Sequence, residues 1–95
     1  MALRLVSEIK VAMERYFFDV VDGADHKDEI GSEWPDLAAA RVEAIRLSGE
    51  ILREMPERYW HAELWKMTVS NRLGPLFTLK FVADDANPLM GQAHD

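Results

Sequence analysis

The spacing of apolar residues along this chain switches from two, to three or four, and back to two. Between Arg15 and Asp22, the residues Tyr16, Phe18 and Val20 alternate with Phe17, Asp19 and Val21. Successive side chains of an extended backbone point to opposite faces, so this run predicts a strand. The segment Asp22-Gly23-Ala24-Asp25-His26-Lys27-Asp28 is polar and contains a glycine. It reads as the connection of a hairpin whose return strand runs from about Glu29 to Trp34. From Leu37 to about Met55 the pattern lengthens, and Leu37, Ala40, Ala44, Leu47, Ile51 and Met55 fall on one helical stripe. Pro35 ends the preceding strand, Asp36 offers its carboxylate to the open N–H groups of the first turn, and Pro56 supplies a stop. Ala40 and Ala44 are small enough to let the helix lie close on a sheet.

A second hairpin follows a polar and aromatic link from Glu57 to Glu63. Trp65, Met67 and Val69 alternate with Lys66, Thr68 and Ser70; Asn71-Arg72-Leu73-Gly74-Pro75 turns the chain; Phe77, Leu79 and Phe81 alternate with Thr78, Lys80 and Val82. The predicted fold is therefore α+β in the order strand-strand-helix-strand-strand, a four-stranded antiparallel sheet with one helix packed on one face. A right-handed crossing by the helix favours the spatial order 2-1-3-4.

That arrangement leaves the second face of the sheet to be explained. Phe17, Val21, Leu64, Leu76, Thr78 and Lys80 are expected to project there and form the candidate interaction surface, with Phe17 as the best single contact residue. Either a second copy of the chain or the leader, with Leu3, Leu5, Val6, Ile9 and Val11, could cover it. Residues 13–85 read as one domain. Residues 1–12 are a leader that is helical, disordered or a start-codon artefact, and 86–95 have the turn-rich composition of a flexible tail.

Composition narrows the class. Ninety-five residues with 48% hydrophobic and 29% charged side chains suit one small soluble domain. The absence of cysteine removes disulfides, thiolate catalysis and cysteine-ligated zinc. No apolar run approaches the roughly 20 residues of a spanning helix, and the charged opening residues do not resemble a signal peptide, so a cytoplasmic protein without a membrane partner is expected. Between Met13 and Asp36, Glu14, Asp19, Asp22, Asp25, Asp28, Glu29, Glu33 and Asp36 stand against only Arg15 and Lys27, a surplus equal to the whole net charge of −6. Such an acidic front end argues against binding nucleic acid. Arg41, Arg46, Arg53 and Arg58 are interspersed with Glu43, Glu50, Glu54 and Glu57 and read as a solvated helix face.

Candidate chemistry is sparse. His26, His61 and His94 lie in three separate segments and lack the local ligand spacing of a metal site. Asp22, Asp25, Asp28 and Glu29 do not follow the calcium-loop pattern and read as a solvated turn. Neither a serine flanked as a nucleophile nor a phosphate-cradling glycine loop is present. The expectation is no enzyme, no catalytic residue, no metal and no cofactor.

The motif order resembles a known family. Arg15-Tyr16-Phe17-Phe18-Asp19-Val20, Asp22-Gly23, Gly31, Pro35-Asp36-Leu37, Ala39-Ala40-Arg41, Glu43-Ala44 and the hairpin from Trp65 to Phe81 are similar to a small domain of unknown function abundant in alphaproteobacteria, especially rhizobia and methylobacteria. The resemblance covers about Met13 to Asp85 and implies the same element order and no activity.

Two functional expectations follow. One is a noncatalytic protein-interaction or regulatory module, homodimeric through the open sheet face or through the last strand, Leu76 to Val82, whose edge only Lys80 guards. The other rests on Pro35-Asp36-Leu37 and the alanine- and glutamate-rich helix, which resemble a HicB-like antitoxin or regulatory partner of a small basic protein. Those domains usually place a loop and a further strand after Pro-Asp-Leu.

Overall fold

The computed structural model describes residues 12–54, 56–60 and 65–86. The elements are β1 (Glu14–Val21), β2 (Asp25–His26), β3 (Ser32–Trp34), α1 (Leu37–Glu54), α2 (Pro56–Trp60), β4 (Trp65–Asn71) and β5 (Gly74–Phe81). The fold is α+β with strand-strand-helix-strand-strand order. β1 is central, flanked on one side by β2 and β3 and on the other by β4, with β5 outermost, and every pairing is antiparallel. This is the expected 2-1-3-4 order. The leader up to residue 11, the tail from 87, and Met55, His61 and Leu64 lie outside the described residues.

The return strand differs from its expected form. It is two short pieces instead of one run from Glu29 to Trp34: β2 pairs with Val20 and Val21, and β3 pairs with Glu14 to Tyr16. Between them the Asp28 carboxylate takes over the strand's hydrogen bonding, accepting from the backbone N–H groups of Phe18 at 3.1 Å, Ile30 at 3.2 Å and Gly31 at 2.9 Å. Asp19 accepts in turn from the Asp28 N–H at 2.8 Å. A side chain that offers acceptors to nearby N–H groups competes with the ladder, which is why the strand breaks here. Gly31 completes the detour with φ of +74°. A Cβ there would stand 2.8 Å from the Tyr16 carbonyl oxygen and 2.9 Å from the Phe17 ring.

α1 begins where the cap predicts. The Ala39 N–H donates to the Asp36 carboxylate at 2.8 Å, satisfying one orphan donor of the first turn. The helix buries Ala40, Ala44 and Ser48, one residue per turn, against the sheet. Ser48 was not expected in the core; it is seated there because its hydroxyl donates to the Met67 sulfur at 3.7 Å. Leu37, Leu47 and Ile51 pack at the flanks. Pro56 stops α1 and also opens α2, whose first position suits a residue with no N–H to satisfy. The first part of the polar and aromatic link, up to Trp60, is therefore helical.

The core consists of Tyr16, Phe18 and Val20 from β1, Trp65, Met67 and Val69 from β4, Ala40 and Ala44 from α1, and Tyr59 from α2. Tyr59 and Trp65 meet edge to face with centroids 6.5 Å apart, a geometry that suits the ring quadrupoles. Phe77 and Leu79 of β5 pack against this cluster, while Phe81 is more open.

Candidate functional site: the uncovered sheet face

The period-two alternation that buries Tyr16, Phe18 and Val20 under α1 sends Phe17, Asp19 and Val21 to the opposite face, where they are half-buried. No described element lies over that face. Cross-strand register arranges it in rows. Phe17 stands opposite Ser70; Asp19 opposite Thr68, which is opposite Thr78; and Asp25 opposite Val21, then Lys66, then Lys80. The Thr68 and Thr78 hydroxyls are 3.3 Å apart, and either can donate a hydrogen bond to the other. Arg15 pairs with Glu33 at 3.3 Å at one end of the face, both exposed.

Four of the expected surface residues, Phe17, Val21, Thr78 and Lys80, are brought together here. Leu76 is displaced: Ser70 faces Pro75 while Val69 faces Phe77, so Leu76 is the extra residue of a β-bulge and has no cross-strand partner. Pro75 and this bulge guard the first part of the β5 edge, so Lys80 is not its only protection. Leu64 falls outside the described residues. The rows add Lys66, Asp19 and Asp25, which the same alternation would have placed had the pairing register been known.

The face is not flat. The Asp28-held loop rises along its β1 side and leaves two shallow concavities. One of about 330 Å³ is lined by Asp25, Lys27, Lys66 and Thr68, and one of about 360 Å³ by Phe17, Lys27, Glu29 and Ser70.

On the helix side, the supposedly solvated Asp22 is buried instead. Its side chain is 3% exposed, with His26 Nε2 at 3.0 Å from one oxygen and Arg58 at 3.3 Å from the other. The Tyr59 hydroxyl donates to it at 3.3 Å. Burial alone would push this carboxyl up. The hydrogen bond to His26, the Arg58 charge and the Tyr59 hydroxyl together outweigh that and hold it below its ordinary value. Burial and the neighbouring Asp22 charge push the Tyr59 phenol up. This cluster pins α2 to the end of β1. Alternation could have found it, because Asp22 continues the Tyr16, Phe18, Val20 series onto the core side.

Among the described residues, no group of three or more histidine, aspartate or glutamate side chains is placed to hold a metal ion, and no helix is long and apolar enough to cross a membrane. On the outer face of α1, Arg46 bridges Glu43 and Glu50 at 2.7 Å each, as expected of a mixed-charge surface, whereas Arg58, expected on the same face, lies on α2 and reaches buried Asp22. The helix starts at Leu37, directly after Asp36, without the loop and strand of HicB-like domains.

No curated protein and no solved structure matches the chain. A family model described as a domain of unknown function, DUF6894, matches residues 15–82, from the start of the aromatic strand to the end of the second hairpin. The chain belongs to the DUF6894 family.

Proposed function

We propose that this domain is a noncatalytic protein-interaction module that self-associates. The observation carrying this reading is the one-sided sheet: α1 and α2 cover one face, and among the described residues no helix or strand covers the other, where Phe17 and Val21 are half-buried beside Thr68 and Thr78. Antiparallel sheets commonly leave one face to water, but apolar residues kept on such a face are often part of a partner surface. The Phe77–Phe81 part of the β5 edge offers the second route, by strand addition.

Light scattering after size exclusion, over a dilution series of the full chain, tests the reading. A dimer that dissociates on dilution supports it. A monomer at every concentration refutes self-association and transfers the role to a different protein, for which the exposed acids Asp25, Glu29 and Glu33 favour a basic partner.

A further inference from the structure

The uncovered face is electrically divided. Its β1 side, with the return segment, carries Asp19, Asp25, Glu29 and Glu33 against Arg15 and Lys27. Its other side, β4 and β5, contains no acidic residue and presents Lys66 and Lys80. These two lysines stand directly opposite each other across the strands, a like-charge pair that costs stability within one chain. Among the described residues, neither forms a salt bridge.

From this division we infer that two copies pair face to face about a two-fold axis that runs along the strands between β1 and β4. The inference rests on the self-association proposed above and chooses the face over the edge. A two-fold interface must be complementary to itself. Rotation about this axis reverses the order across the sheet while keeping each row at its own height. The row Asp25, Val21, Lys66, Lys80 then meets its own reverse. Lys80 comes to lie against Asp25 of the partner subunit, and Lys66 over Val21 of the partner subunit, with the symmetric contacts repeated. Phe17 lands on Ser70 of the partner subunit, where a short side chain leaves room for the ring.

Size limits the strength of this contact. β1, β4 and β5, of eight, seven and eight residues and about 4.8 Å apart, with the short β2 and β3 beside them, make a face on the order of 400 Å². That is roughly half of what each partner contributes to a standard interface. The contact is therefore small, and its charge pairs weigh heavily in whether it forms.

The test uses the full chain and four variants, Lys80→Asp, Asp25→Lys, the double exchange of both, and Thr78→Pro, measured by light scattering over dilution at low and at raised salt. The expected result is a dimer that salt weakens, that either single reversal weakens about tenfold or more, and that the double exchange restores. Lys80→Asp places an acid opposite Lys66 within the same chain, so at a dilution where the wild type is monomeric the two should give the same circular dichroism spectrum, which separates a lost dimer from a lost fold. A dimer indifferent to both reversals but abolished by Thr78→Pro overturns face pairing and leaves self-association standing through the edge. A wild-type monomer at all concentrations overturns both.

Discussion

The Tyr59 hydroxyl donates to the buried carboxylate of Asp22 at 3.3 Å, across 37 residues of chain. This contact ties the short helix α2 to the end of the central strand. Tyr59→Phe keeps the edge-to-face contact with Trp65 and removes one donor, at a cost of about 1 kcal/mol. Asp22→Asn leaves Arg58 without its counter-charge and weakens the bond to His26, and should cost about 2 kcal/mol or more. Urea unfolding of the two variants checks the order.

The same cluster gives the fold a pH dependence. The folded carboxyl of Asp22 is held below its unfolded value, so its contribution is present above about pH 4 and is lost as pH falls through the lower, folded value. At the other end, Tyr16 and Tyr59 are pushed up, chiefly by burial, so their contribution is complete below about pH 10 and is lost as pH rises through their folded values. Melting temperature against pH should fall on both sides. The acid limb should flatten in Asp22→Asn.

Gly31 and Gly23 both have positive φ, yet they should respond differently to alanine. At Gly23 a Cβ would meet nothing within 4 Å, so Gly23→Ala carries only backbone strain of about 1 kcal/mol. At Gly31 it would stand 2.8 Å from a backbone carbonyl in β1, which cannot move without opening the β1 and β3 pairing. Gly31→Ala should cost at least about 2 kcal/mol. A melting temperature for Gly31→Ala equal to that of Gly23→Ala would contradict this difference.

Asp28→Ala removes the acceptor of three backbone N–H groups, that of Phe18 among them. The loss should be about 2 kcal/mol, and hydrogen exchange at the Phe18 amide should accelerate before that at Val69 in the β4 core.

Close approach of α1 to the sheet depends on small side chains. Ala44 has no exposed surface, so Ala44→Leu must push the helix away or adopt a strained rotamer, at a cost of about 1–3 kcal/mol. Val42→Leu, on the exposed side of the same helix, should change stability by less than about 0.5 kcal/mol. Thermal melts of the pair check the contrast.

The sequence was most legible where one period governs a whole element. The division of Tyr16, Phe18 and Val20 from Phe17, Asp19 and Val21 follows from alternation alone, and so does the cap at Asp36. It was least legible where a polar side chain replaces backbone pairing. Asp28 reads as a charged turn residue, and nothing local announces that its carboxylate will stand in for a strand. Asp22 was legible in part: alternation carries it onto the core side, but its partners Arg58 and Tyr59 arrive from a distant helix and could not be named from the sequence. Most of the candidate face was readable as a residue set. Its charge division was not, because that depends on which strand lies beside which and in what register.

The two edges of the sheet also govern what happens when many copies meet. On one side the broken pair β2 and β3 offers no continuous row of donors and acceptors; on the other, Pro75 and the bulge at Leu76 leave only the stretch from Phe77 onward straight. A copy that docks on that stretch has no second edge to pass the pairing on. Among the described residues, then, pairing through that stretch is expected to stop at two chains instead of propagating sideways.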